Sequence, residues 1–184
     1  HQRRLQLLML NLLAAPAAMV KDRAADNTVV VSPHHVSLAA GAGAADIISV
    51  AGYPTGRHHT LIKASEARLA IQSGASEVWV SLDETVTDPN AVLSELIAIR
   101  EACPEPARLG LLVPEAVGAD AADAADTAAA AVTAAQQAGY QRLIVRSSAA
   151  VDNEESGARA EDMKKGPALA AAKLPVLKFP AAAV

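Results

Sequence analysis

Aromatic side chains are nearly absent from this sequence, with one Trp, two Tyr and one Phe in 184 residues. A core built on ring packing is therefore excluded, and apolar area must come from aliphatic residues. Clusters of Lys and Arg interleaved with aromatics are missing too. With a net charge of −4, the chain lacks the basic footprint of a nucleic-acid binder. Cysteine occurs once, at Cys103, which excludes an intrachain disulfide framework and a cysteine metal cluster. Between Ala102 and Pro104, Cys103 reads as a helix-end packing residue rather than a nucleophile. This is the cysteine usage of a reducing compartment, and a cytoplasmic location is expected.

Long hydrophobic runs are lacking as well. The longest, Leu5 to Ala18, follows Arg3 and Arg4 in the manner of a signal sequence. It is too short to span a bilayer, so no membrane association is expected. Leu5, Leu8, Leu12 and Leu13 fit helical spacing, and an ordinary helix ended or kinked by Pro16 is expected. The first residue is His1 rather than Met, and the last are Ala181-Ala182-Ala183-Val184, which read as the exit of a strand. No glycine-rich phosphate fingerprint follows the first strand, which disfavours a dinucleotide-binding sheet.

What is present is a regular alternation of strands and helices in one domain, residues 1–184. Short aliphatic runs at Thr28–Ser32, Ile47–Ala51, Glu77–Leu82, Leu109–Val113, Leu143–Val145 and Pro175–Phe179 read as strands. Helical patterns at Ala64–Ser73, Asn90–Ala102 and Ala119–Ala138 separate them, two of them stopped by Gly74 and Gly139. The polar stretch Asp152–Gly166 reads as a loop or an exposed helix start. Strands that are nearly continuous apolar runs, joined through helices, indicate a parallel sheet covered by helices. The pattern alone fits either a parallel (β/α) barrel or an open doubly wound sheet, and about six strands are readable where a closed barrel needs eight.

Three segments carry a family resemblance. Val29-Val30-Val31-Ser32-Pro33 is followed by Val36 and Leu38-Ala39. Val50-Ala51-Gly52-Tyr53-Pro54-Thr55-Gly56 is followed by Lys63, Glu66-Ala67 and Ala70. Gly74-Ala75-Ser76-Glu77-Val78 opens a strand. In this order and spacing, over residues 29–102, the chain resembles the deoxyribose-phosphate aldolases. Beyond residue 103 the likeness is one of element rhythm. The resemblance implies an α/β fold, a parallel (β/α) TIM-type barrel, incomplete by the strand count above.

The resemblance implies cleavage of 2-deoxyribose 5-phosphate to glyceraldehyde 3-phosphate and acetaldehyde, with no metal or organic cofactor. A barrel lysine forms a Schiff base, whose iminium accepts the electrons of the broken carbon–carbon bond. A second lysine lowers its pKa, an aspartate and a water move protons, and glycine-rich loops hold the phosphate. Several of those roles meet unsuitable residues here. The aspartate position is Trp79, the fifth-strand lysine falls at Leu111 if Glu115 is the matching glutamate, and the Schiff-base lysine meets Arg146, ahead of Ser147-Ser148. Arginine stays protonated and cannot form an iminium. The second lysine position is Phe179 in a gapless alignment, one residue after Lys178, with Ala182 and Ala183 in place of two glycines. Alternation turns Lys178 to the opposite strand face, and a one-residue gap would restore it. The family's opening aspartate–histidine–threonine strand has no counterpart in the sequence.

Lys178 and Asp83 remain the candidate catalytic residues. Asp83 lies four residues after Trp79, on the same strand face at the C-terminal mouth, and could be a replacement acid/base. Its alternative is an aspartate capping the next loop. The pairs His34-His35 and His58-His59 share one rim, but adjacent histidines diverge and complete no metal motif. Arg57 could meet an anion or be plain surface. Three readings follow: a family member with lost or altered catalysis, a working aldolase using Lys178 or Lys173, or a non-catalytic assembly module. A small phosphorylated sugar or aldehyde and a homo-oligomer are the expected partners.

Overall fold

A computed structural model describes residues 8–114, 121–147, 157–159, 161–162 and 173–180. Seven parallel strands form its centre: β1 (Leu8–Leu12), β2 (Thr28–Val31), β3 (Asp46–Ala51), β4 (Glu77–Ser81), β5 (Arg108–Pro114), β6 (Arg142–Ser147) and, after two short strands, β9 (Val176–Pro180). They pair in chain order, each parallel to the last. Among the described residues, five α-helices join successive strands: α1 (Ala17–Arg23), α2 (Val36–Gly41), α3 (Thr60–Ser73), α4 (Pro89–Ala102) and α5 (Ala121–Gln137). A strand followed by a helix and a parallel strand, repeated in order, curls into a barrel wall. This wall is an incomplete parallel (β/α) barrel.

The short strands β7 (Gly157–Arg159) and β8 (Glu161–Asp162) stand at the two edges. The first pairs antiparallel with β1 and the second antiparallel with β9. One residue separates them, so a single stretch of chain touches both edges of the sheet. Part of the expected loop over Asp152–Gly166 is thus strand, because unpaired edges of a parallel sheet recruit backbone partners.

Alternation along the strands sorts the side chains into two apolar layers. Val29, Val31, Val78, Val80, Leu109 and Leu143 pack outward against helix residues such as Val20, Ala67, Leu96 and Ala135. Met9, Val30, Ile48, Val50, Trp79, Leu112, Ile144, Leu177 and Phe179 form a second cluster inside the curl. Both faces of every central strand are covered, which explains runs without polar alternation. Helix α4 starts at Asp88, whose side chain accepts from the Asn90 amide, and its Val92, Leu96 and Ile99 are buried. Cys103 ends it as a buried residue, and burial pushes its thiol pKa up, which keeps it protonated and inert.

The expected first helix is overturned. Leu8–Leu12 is a strand, paired through Met9–Leu12 with Thr28–Val31. Leucines three and four apart fit a helix, but pairing with β2 buries Met9 inside and Leu12 outside. Pro16 does not end a helix. It caps the start of α1, where its missing N–H costs nothing. The strand count rises accordingly, and β1 opens the sheet with Met9, Leu10 and Asn11 in its centre. The remaining boundaries agree within a few residues, with α3 starting four residues earlier than expected, at Thr60. No helix among the described residues is long and apolar enough to cross a membrane.

Candidate functional site

In a parallel barrel, chemistry gathers at the C-terminal ends of the strands. The turn from β3 to α3 builds one side of this mouth. Gly52 and Gly56 both take positive φ, 69° and 70°, a region that favours glycine. The Gly56 amide donates to the Gly52 carbonyl at 2.7 Å, and the Gly52 amide donates to Glu66 Oε1 at 2.9 Å. Beneath the turn lies Lys63, 1% exposed. Its Nζ donates to the carbonyls of Gly56 at 2.8 Å and Ser81 at 3.1 Å, and pairs with Glu95 at 2.8 Å. Three donors meet three acceptors, so the ammonium is fully satisfied. A Cβ at Gly52 would collide with the Lys63 stem. Glu95 also accepts from Thr60 Oγ1 at 2.9 Å, tying α3 to α4. Lys63 is a structural cation that locks three elements together, not an available amine.

Trp79 fills the interior. It is fully buried, with Phe179 in edge contact at 4.9 Å between ring centroids and 74° between planes. Its neighbour across the ladder is Gly110. A Cβ there would stand 2.5 Å from Ile144 Cδ1 and 2.8 Å from Trp79 Cδ1. The glycine therefore makes room for the indole. The indole N–H donates to Glu77 Oε2 at 2.5 Å. That same oxygen accepts from Arg142 Nε at 2.6 Å and faces its Nη2 at 2.6 Å, while Arg108 stands 3.4 Å from Oε1. Arg142 also lies 5.8 Å from the Trp79 ring centroid. This buried carboxylate with its two arginines closes the barrel floor under the tryptophan. In the sequence Glu77 stands only at a helix-to-strand junction. Its burial beside cations brought from β5 and β6 has no local signature.

The other predicted positions separate. Leu111 belongs to the outer layer, fully buried toward the helices, and the inward positions of β5 are Gly110 and Leu112. A lysine at residue 111 would thus point away from the interior. Lys178 shares its parity with the outward Val176, between the inward Leu177 and Phe179. Arg146 follows Arg142 and Ile144 on the inward face of β6, at the mouth. Its guanidinium sits 5.2 Å from the Tyr53 ring centroid and donates to the Pro54 carbonyl at 3.4 Å. Glu115, Ser148, Ala182 and Ala183 lie outside the described residues.

Asp83 stands beyond the end of β4. Its Oδ1 accepts from the Thr85 amide at 2.9 Å and from the Thr85 hydroxyl at 2.6 Å, and Arg57 Nε is 3.6 Å away. The Thr85 hydrogen bonds, helped by Arg57, hold its carboxyl below the ordinary aspartate range. A depressed pKa favours the folded state once the carboxylate is ionised, and that contribution disappears as pH falls through the folded value. Titration of Asp83 followed by NMR should therefore show a midpoint below that of an unstructured aspartate, and Thr85→Ala should raise it. A midpoint unmoved by Thr85→Ala would contradict this geometry.

Arg57, His58, His59, Thr60, Asp83 and Glu95 line a shallow cleft of about 260 Å³ between the β3–α3 and β4–α4 connections. His59 Nδ1 accepts from the Leu61 amide at 3.1 Å and so caps α3. His35 Nδ1 lies 3.2 Å from the Ser32 hydroxyl. Among the described residues, no three His, Cys, Asp or Glu side chains converge to hold a metal ion.

No family model matches the chain. Over 100 residues it is 48% identical to a deoxyribose-phosphate aldolase of Corynebacterium glutamicum, an alignment covering 52% of this chain and 45% of that relative. A deoxyribose-phosphate aldolase of Corynebacterium jeikeium is 47% identical over 74 residues, covering 39% of this chain and 30% of its own. The chain therefore spans about half or less of the curated relatives it matches. Among solved structures, an aldolase designated QR15 superposes with a TM-score of 0.63 at 19% identity, covering 79% of this chain and 68% of the other. The tetrameric deoxyribose phosphate aldolase of Aeropyrum pernix gives 0.59 at 23% identity, covering 75% and 61%. These superpositions establish the barrel fold. The sequence identities establish that the chain resembles the deoxyribose-phosphate aldolases over about half its length.

Proposed function

We propose that this chain is part of a deoxyribose-phosphate aldolase-like protein whose aldolase chemistry is lost or altered. The family reaction would join or cleave 2-deoxyribose 5-phosphate, glyceraldehyde 3-phosphate and acetaldehyde through a lysine Schiff base. The observation that carries the proposal is Trp79, buried inside the barrel where the resemblance puts the proton-handling aspartate. An indole neither accepts nor releases a proton near neutral pH, and this one fills the volume a substrate would need.

The lysines support the same reading. Iminium formation needs a neutral amine facing the substrate. The Lys63 ammonium is buried and holds three acceptors. Lys178 shares the outward parity of Val176. Among the described residues, no lysine occupies an inward position on a strand. A cytoplasmic setting is proposed on the single cysteine, and a homo-oligomer on likeness to a tetrameric aldolase.

The test is trapping. Incubation with acetaldehyde and borohydride should leave the intact mass unchanged. A stoichiometric ethyl adduct on a lysine would overturn the proposal, and a companion Lys178→Met variant would show whether that residue carries the adduct.

A further inference from the structure

Two side chains at the mouth are left over once the fold and its charge networks are assembled. Ser81 ends β4, 3% exposed, and its hydroxyl has no hydrogen-bond partner among the described residues. It shares the inward parity of Glu77 and Trp79 and sits in register with the inward Leu112. Buried hydroxyls are ordinarily hydrogen-bonded, so this one is a polar group awaiting a partner. The other is Arg146. Unlike Arg142, which Glu77 neutralises, it has no carboxylate partner among the described residues. Its contact to the Pro54 carbonyl, at 3.4 Å, is long and weak. Tyr53 faces the guanidinium at 5.2 Å from its ring centroid, and no other hydrogen bond of the guanidinium is made among the described residues.

β4 and β6 are separated by β5 alone. With strands about 4.8 Å apart, an arginine side chain on β6 and a hydroxyl on β4 can meet one small ligand between them. Phe179 pairs in register with Arg146, and Trp79, in edge contact with Phe179, stands two residues before Ser81 on the same face, so the space between Arg146 and Ser81 has apolar neighbours.

We propose that the barrel mouth binds a small anion without covalent chemistry, its carboxylate or phosphate paired with the fork of Arg146 and hydrogen-bonded by the Ser81 hydroxyl. This rests on the reading of a barrel that has lost or altered its aldolase chemistry, and it names the ligand class of the altered site. Arginine suits it because its planar fork matches either oxyanion and keeps its charge.

Titration of the chain with inorganic phosphate and, separately, with acetate tests the proposal, followed by calorimetry and by emission of Trp79, the one tryptophan present. Saturable binding of either anion is expected, and the tighter arm distinguishes a phosphate ligand from a carboxylate. Arg146→Met should weaken it about tenfold or more, and Arg146→Lys less, because charge remains while the fork is lost. Ser81→Ala should weaken it about threefold without lowering the melting temperature, since no protein hydrogen bond is removed. Absence of saturable binding in both arms, or Arg146→Met binding like the parent, would overturn the proposal. The outcome is separable from that of trapping: a lysine adduct overturns the loss of chemistry, whereas silent titrations with no adduct overturn the anion site alone.

Discussion

Glu77→Ala is expected to destabilise the protein by about 3–5 kcal/mol, the range for breaking a buried ion pair by removing one partner. Glu77 is 1% exposed, and the Arg142 side chain beside it is 15% exposed. Without the carboxylate, the Arg142 guanidinium stays buried without its anion, and the Trp79 indole N–H loses its acceptor. For a chain of this size the melting temperature should fall by on the order of 10 °C. Glu77→Gln keeps an acceptor for the indole and removes only the charge, so its loss should be smaller. Arg108→Ala is the control. That arginine is half exposed at 3.4 Å from Glu77, and exposed pairs contribute about 1 kcal/mol or less. Thermal melts of the three variants should rank in that order. Equal melting of Glu77→Ala and Arg108→Ala would mean that the floor network contributes no more than a surface pair.

Gly56→Ala should be the most damaging single-methyl change. Its φ of 70° is unfavourable for an L side chain by about 1–2 kcal/mol. Steric overlap adds to that: the new Cβ would run into the backbone of Leu82 and Asp83, which follows directly on β4. Backbone at the end of a central strand cannot yield as a flexible side chain would, so a total of about 3 kcal/mol or more is expected. Lys63 would feel it too, because its ammonium bonds the Gly56 carbonyl. Gly43→Ala separates the two causes. Gly43 also has positive φ, 87°, but nothing lies within 4 Å of its Cβ position. It should lose only the conformational part. Urea denaturation of both variants checks this, and similar midpoints would show that the approach of Gly56 to β4 is slack.

The parallel α/β class, the order of most of its elements and the likeness to the aldolases, which implied the barrel, were legible before any coordinates. The reason is local: aliphatic runs of strand length alternate with helical patterns ended by glycine, and the Gly52–Gly56 turn keeps its residue types because the backbone there takes positive φ. The strand position of Trp79 was legible too, since a residue within a well-marked strand needs no tertiary knowledge to place. The first strand was not. A five-residue leucine-rich segment satisfies both periodicities, and only pairing with Thr28–Val31 makes it β1. The face of Leu111 likewise needed the sheet, which turns it outward, whereas Lys178 lies beside Val176 on the face that gapless alternation gave it.

What the tertiary structure alone decided is which charges meet. Glu77 and Arg142 are 65 residues apart, and Lys63 and Glu95 sit on different helices, so no spacing rule could pair them. Gly110 is similar: an unremarkable glycine in the sequence becomes the space into which an indole fits. By itself the sequence determined a helix-covered parallel sheet and a tryptophan on its fourth strand, where the family resemblance implies an aspartate. Packing across strands decided that the tryptophan fills the interior over a neutralised carboxylate, leaving Arg146 and Ser81 at the mouth.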